Sequence, residues 1–308
     1  MKNSFNEVYN QIYRENFEEL EMLRKQSEKS LKKGLLLMAL VLITCLLLPE
    51  YAVFIIFGSI ALFIIYFVVI SKKTKGVERP KGYREVFKEK VITPLISNVF
   101  EDATFNPTQG ISRYEYVEAG YKDDIDRYHS EDLITAKIIG ADGVKVDFKF
   151  SEVLTQSEHT DSDGDTTYRT EFHGLAGQVD LNKNINNEIY IRKNWSVSNF
   201  NKNKIKMDMS EFEKIFDVEA TDKILALRIL TSEVMTEMID MYNKYKYRFE
   251  IHIINNKIYM RIETGGVFEP NIFKKSMEYK TIEKYYSIIK AVMNISKHIY
   301  DTVNEIEL

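Results

Sequence analysis

At 308 residues, with 44% hydrophobic and 29% charged side chains, 13 Gly and 5 Pro, the chain has the composition of a folded protein and not of a disordered one. A formal net charge of −4 offers no general attraction to phosphate backbones, so nucleic acid is not an expected partner. The single cysteine, Cys45, excludes an internal disulfide and a cysteine-built metal centre, and it fits a reducing compartment.

Residues 1–33 read as an amphipathic cytoplasmic helix. Phe5, Val8, Tyr9, Ile12, Tyr13, Phe17, Leu20 and Leu23 recur at i, i+3, i+4 spacing, with Glu, Lys and Gln filling the other face. Their polarity is not that of a cleavable secretory signal. The stripe needs a covering surface: the chain's own C-terminal domain or helix, or else a protein partner or second copy.

Residues 34–70 form two uncharged apolar runs, Gly34 to Leu48 and Ala52 to Ile70, separated by Pro49, Glu50 and Tyr51. As helices they reach about 22 Å and about 28 Å against a hydrocarbon core of about 30 Å. The first draws in Leu31 and leaves Lys32 and Lys33 to snorkel. A proline and an acid at the break suit a turn at the far interface, because unpaired backbone groups are costly in lipid. The reading is a two-helix transmembrane hairpin.

Orientation follows from the flanks. Arg24, Lys25, Lys29, Lys32 and Lys33 precede the apolar runs, Lys72, Lys73, Lys75, Arg79 and Lys81 follow them, and the turn has no basic residue. The positive-inside rule then puts both termini in the cytoplasm, giving a cell-membrane protein with two spans. Lys29, Lys32, Lys33, Lys72, Lys73 and Lys75 are the basic residues flanking the membrane. The bilayer is the first expected partner, with about 1 kcal/mol per well-placed basic side chain toward acidic lipid.

After a basic linker over residues 71–82, residues 83–308 read as a cytoplasmic α+β domain. Tyr83, Val86, Phe87, Val91, Leu95 and Val99 predict a helix that Pro94 bends or ends. Leu133 to Ile139 and Val144 to Leu154 flank Gly140-Ala141-Asp142-Gly143 as a hairpin, and a second hairpin turns at Thr160 to Thr166 and returns to Asp180. A helix is expected from Ser210, another over Thr231 to Lys244, two strands around Asn255-Asn256, and a last helix from about Thr281 to Val303. Consecutive hairpins with helices before and after argue α+β with antiparallel pairing, not a doubly wound sheet.

Several segments taken together carry a resemblance: IDRYHSEDLITAKI, FKFSEV, TEFHGLAGQVDLNKN, FEKIFDVEATDKILALRILTSEVMTEM, and the Asn255 hairpin followed by GGVFEPNIF. Over roughly Tyr83 to Tyr300 the chain resembles an uncharacterised bacterial family of membrane-anchored proteins, domain of unknown function 3137, and its N-terminal anchor is similar too. The resemblance implies a bacterial cytoplasmic domain tethered by a transmembrane hairpin, with no established activity, substrate or cofactor, and an association with LemA-type membrane neighbours. Members of the family carry an aromatic-rich stretch where this chain has Leu175-Ala176-Gly177.

Signals for chemistry are sparse. Asp161, Asp163 and Asp165 in HTDSDGDTT could offer oxygens to calcium, but the loop departs from an EF-hand, with His159 where its first Asp belongs and Thr170 where its last Glu belongs. An exposed hairpin tip is the plainer reading. His129, His159, His173, His252 and His298 make no metal-binding spacing. Asp126, Arg127, His129, Glu131 and Asp132 could supply a general acid or base if they lined a pocket, and His173 could join them. Phosphate-binding glycine loops and a GxSxG element do not occur, and Gly265-Gly266 reads as a turn before a helix starting at Glu269-Pro270.

No catalytic or cofactor-binding residue is therefore assigned and no cofactor is expected. The favoured function is a noncatalytic membrane-tethered interaction or scaffold module, with a possible protein partner or homo-oligomer through the N-terminal helix. A membrane-proximal enzyme and an ion sensor using the acidic loop are the alternatives.

Overall fold

A computed structural model describes residues 3–73, 81–121, 123–194 and 204–306. The chain divides into two compact units: residues Met1–Gln11, Val91–Glu269 and Tyr279–Leu308 form one, and Ile12–Lys90 with Pro270–Glu278 the other.

The unit holding Ile12–Lys90 is helical. Helix α1, Phe5–Leu47, runs without a break through Lys33-Gly34. Sequence periodicity predicts two separate pieces here, yet nothing at the junction stops helical hydrogen bonding, since an isolated glycine weakens a helix without ending it. A 3-10 turn at Pro49–Tyr51 follows, and α2 spans Ala52–Lys73. Side chains on the apolar stretches face outward: Leu36 is 70% exposed and Leu46 81%. Lys72 and Lys73 end α2 with their side chains outside the description, and Lys75 lies outside the described residues, as does residues 74–80 of the linker.

Helix α3, Tyr83–Phe87, passes through a π turn at Lys88–Ile92 into α4, Thr93–Val99. The expected break at Pro94 is absorbed there. Pro94 follows closely on the π turn, with helical backbone before it at Ile92 (φ −71°, ψ −45°), and the widened turn is where the helix takes up a residue that cannot donate.

The other unit is built on one antiparallel nine-stranded sheet, in the order β1-β2-β3-β4-β9-β8-β5-β7-β6. Its strands are β1, Glu101–Asn106; β2, Arg127–Ile139; β3, Lys145–Thr160; β4, Thr166–Asp180; β5, Glu188–Lys193; β6, Lys204–Ile205; β7, Phe216–Ala220; β8, Phe249–Ile254; and β9, Lys257–Ile262. Helix α5, Arg113–Glu118, lies between β1 and β2. Helices α6, Ser210–Ile215, α7, Lys223–Ile229, α8, Ser232–Tyr245, and α9, Tyr279–Glu305, complete the unit.

All three expected hairpins form, at Gly140–Gly143, at Thr160–Thr166 and at Asn255-Asn256, where Asn255 takes φ 56°. Thr231 caps α8 by accepting the N–H of Val234. Helix α6 is only six residues long, and Phe216-Asp217-Val218-Glu219-Ala220 turns straight into a strand that sequence periodicity over so short a run does not reveal. No helix starts at Glu269-Pro270. Phe268 sits at φ 61°, and Asn271 accepts the N–H of Phe273 in a side-chain turn that competes with helical bonding.

The period of two sorts the sheet into unlike faces. Phe148, Phe150, Val179, Met260, Ile251 and Ile189 point to one side and are buried. Aromatic contacts join that side to its helices: Phe216 meets Tyr242 of α8 at 6.1 Å, and Phe268 meets Tyr285 of α9 at 5.6 Å. The first turns of α1 also dock on α9, with Phe5 against Tyr279 (5.3 Å) and Tyr286 (5.0 Å), and Tyr9 against Tyr279 (4.9 Å). The start of the N-terminal stripe is thus covered by the chain's own C-terminal helix.

At the sheet margins, β6 has two residues, and β1 is broken by a bulge between Glu101 and Thr104 where Asp102 takes φ 48°.

Close strand packing leaves no room at two glycines. A methyl on Gly174 would overlap the Ile262 carbonyl oxygen, and one on Gly177 the Lys149 carbonyl oxygen and the Phe150 ring, whereas Gly143 faces open space at φ 78°. Gly174→Ala and Gly177→Ala are each expected to cost about 2 kcal/mol or more of unfolding free energy, against about 1 kcal/mol for Gly143→Ala, as measured by denaturant unfolding.

Candidate functional site

The sequence cluster from Asp126 to Asp132 divides into two groups. Asp126 accepts the N–H of Glu158 at 2.6 Å, and Arg127 lies over the Tyr168 ring, 3.3 Å from its centroid. These two residues and His129 line an open depression with Arg113, Tyr128 and Leu154. Two residues later the strand bulges between Glu131 and Ile134, and Asp132 is buried at φ 60°. Carboxylate oxygens of Glu131, Asp132 and Glu269 lie within 4.8 Å of one another there. Such oxygens suit a hard divalent cation in kind, but all three residues are also engaged by other groups.

His173 belongs to a neighbouring pair. Its Nε2 is 3.0 Å from Oε1 of Glu152, whose Oε2 accepts the N–H of Val267 at 2.7 Å. Glu152 is the direct cross-strand partner of Glu131. In the acidic hairpin loop, Oδ1 of Asp161 accepts the N–H groups of Asp163 (3.0 Å) and Asp165 (2.9 Å), so this carboxylate serves to close its own turn.

The most connected polar constellation lies elsewhere, on the second face of the sheet. Along β8 and β9 the alternation that points Ile251 and Met260 to the helices points Glu250, His252, Tyr259 and Arg261 the other way. Residues 107–126 cover that face. Ile111 and Tyr116 pack with Val153, Phe172 and Ala176 in a small apolar cluster, and α5 is held by a capping box in which Ser112 and Glu115 satisfy each other's backbone.

Arg261 is 7% exposed, and all three nitrogens of its fork donate hydrogen bonds. Nη1 donates to both oxygens of Asp123 (2.8 and 2.7 Å) and to the Tyr116 hydroxyl oxygen (2.9 Å), while Nε and Nη2 donate to Glu250 (3.2 and 3.0 Å). Tyr116 in turn donates to Asp123 at 2.6 Å. The rings of Tyr121 and Phe172 lie 4.3 and 5.2 Å from the guanidinium carbon. The small side chain of Ala176, opposite Arg261 on β4, leaves space for the arrangement. Glu250 also binds Arg248 at 3.1 Å, which brings a second cation against this carboxylate.

His252 is wholly buried one pair further along β8. Its Nδ1 lies 2.7 Å from the Ala119 carbonyl oxygen and can only donate to it, which leaves Nε2 to accept from Nε of Arg192 at 3.3 Å. Burial pulls the imidazole down to about 4, against the hydrogen bond to Ala119 that favours the charged form. The ring is therefore neutral at physiological pH. Burial likewise raises the Tyr116 and Tyr121 hydroxyls, which remain protonated.

One crevice beside Arg261 and Glu250 and another beside Tyr116 and Tyr121 hold about 10 Å³ each, the size of one water, so this constellation is a clamp and not a substrate cavity. Sequence reading misses it because Asp123 and Arg261 are 138 residues apart. The available signal was polar residues at every second position of FEIHII and KIYMRI, which mark one face of each strand as non-core.

Arg261→Ala leaves two carboxylates buried without their cation and is expected to cost about 3–5 kcal/mol by denaturant unfolding, with Arg261→Lys recovering only part because it lacks the fork. For His252 the folded value lies below the unfolded one, so the unfolded chain binds more protons between the two. Stability is intact above about pH 6.5 and falls as pH drops toward about 4. His252→Asn keeps the donor to Ala119 and should flatten that limb by roughly 2 kcal/mol in unfolding measured from pH 7 to 4.

Comparison with known proteins adds little beyond the family. No curated protein matches the sequence. A crystal structure of the mycobacterial trehalose monomycolate transport factor A, TtfA, aligns over 70% of this chain and 93% of its own with a TM-score of 0.31 and 8% identity. That likeness is too slight to carry an argument. Residues 170–300, which supply Phe172, Glu250, His252 and Arg261, match the model of the family described as Protein of unknown function (DUF3137), and this stretch carries the domain of unknown function that its motifs resemble.

Proposed function

We propose that this protein is a noncatalytic, membrane-tethered interaction module. The apolar part of α1 and α2 from Ala52 to Ile70 serve as two spans with both flanks cytoplasmic, and the α+β unit is the part presented to a protein partner. One observation carries the tether: the window of α1 apolar enough to cross a membrane is entirely uncovered. Each exposed Leu, Ile or Phe there forgoes about 1.5–3 kcal/mol that burial in hydrocarbon would supply, and the stretch holds many of them. Pro49–Tyr51 between the helices is a turn short enough to sit at one interface.

The noncatalytic part of the reading rests on the candidate site. Its best-connected polar groups are spent on one another, and the crevices next to them admit about one water. On α1, Tyr13 and Met22 stay 36% and 53% exposed beyond the turns that dock on α9, and they are where a partner or a second copy would meet the N-terminal helix.

The full-length chain is expected to stay in the membrane pellet through an alkaline carbonate wash and to leave it only with detergent. A cysteine placed at Glu50 should react with an impermeant thiol reagent on intact cells, and one placed at Lys214 should react only after lysis. Isolation in mild detergent should recover a stoichiometric partner or homo-oligomer. Release by carbonate, labelling at Lys214 in intact cells, or a strictly solitary monomer overturns the corresponding part.

A further inference from the structure

Charge along the outward face of α1 changes sign toward the apolar stretch. Glu15 and Glu18 come first, then Met22, and then Lys25, Lys29, Lys32 and Lys33 in the turns before Gly34, all exposed. Arg24 is excluded from this face. It is buried and bound by Glu21 (2.7 Å), Glu28 (2.7 Å) and the Ile272 carbonyl oxygen (2.8 Å).

The same two acids are the lysines' neighbours. Glu21 is 3.9 Å from Lys25 and Glu28 2.6 Å from Lys32, so both carboxylates are already shared with Arg24. Lys29 and Lys33 have no ion pair among the described residues. The helix is unbroken from these lysines into the apolar stretch, so at 1.5 Å per residue all four lie within about 14 Å of Gly34 along its axis, the headgroup layer and the water just above it.

We propose that Lys25, Lys29, Lys32 and Lys33 form a binding surface for anionic phospholipid headgroups in the leaflet that α1 enters. The inference rests on α1 spanning the bilayer and adds what the helix recognises there. Four exposed ammonium groups spread over three helical turns match the phosphodiester charges of a fluid lipid layer. Attraction of this kind depends on charge near the surface and not on a fixed donor geometry, so flexible lysine point charges suffice for mobile headgroups.

The test uses the full-length chain in vesicles made from a four-to-one mixture of phosphatidylcholine and phosphatidylglycerol. After a carbonate wash, the chain is extracted in mild detergent and its retained lipid is counted. The wild-type chain should hold phosphatidylglycerol and phosphatidylcholine in a ratio about fivefold above that of the bulk mixture. K25Q/K29Q/K32Q/K33Q should lose more than half of the enrichment, the remainder being held by the basic residues that follow α2, and the corresponding all-arginine variant should keep it whole. Far-ultraviolet dichroism equal to wild type shows the variants folded, since all four side chains are exposed. A washed, retained wild-type chain with no enrichment, or enrichment undiminished by the four glutamines, overturns this proposal alone; in the second case the lysines are left to an acidic protein surface. A wild-type chain released by the wash overturns the tether and this inference together.

Discussion

A guanidinium buried between two carboxylates organises the polar side of this sheet. Arg261 reaches Glu250 across a strand pair and Asp123 across 138 residues of chain, and the second contact fixes the segment from Ile111 to Asp126 on β8 and β9. Removing such a cation from water costs several kcal/mol, which only complete hydrogen bonding offsets. Here every N–H of the fork that faces the network has an acceptor, and two aromatic rings close the remaining side. Tyr116, Tyr121 and His252 keep the uncharged forms that the arrangement needs, because burial disfavours their ionisation.

The same alternation that delivers Arg261 to one face delivers Met260 and Ile262 to the other, so the clamp and the apolar core are two products of one register. A shift of β9 by one residue would exchange them, placing the guanidinium under the helices. Gly174 and Gly177 on β4 defend that register, since neighbouring strands approach them too closely for any side chain.

Much of this was legible in the sequence and the remainder was not, for physical reasons. Hairpins declared themselves through Asn255-Asn256 and Gly140–Gly143, and α8 and α9 through long 3.6-residue stripes. The strands β5 and β7 escaped notice because six or five residues give too few periods to distinguish strand from loop, and β7 follows directly on a helix. The cluster from Asp126 to Asp132 looked coherent as neighbours in the chain, but a strand sends alternate residues apart and the bulge at Asp132 separates them further. Conversely, Asp123 and Arg261 gave no local hint of each other. The apolar runs at Gly34 and Ala52 were plain, whereas the continuity of α1 through Lys33 was hidden by a change from amphipathic to wholly apolar composition that marks a change of surroundings, not of conformation.

The margins of the sheet bear on how the protein behaves when crowded. A sheet of nine strands ends in two rows of unsatisfied amides and carbonyls, each a template onto which another molecule's strand can add. At one margin the described part of β6 is two residues long, a short template. At the other, Asp102 in a left-handed conformation kinks β1, and Glu101 and Asp102 set negative charge beside it. Among the described residues, both ends therefore discourage the addition of another molecule's strand, which keeps the sheet from growing by edge-to-edge contact at high local concentration.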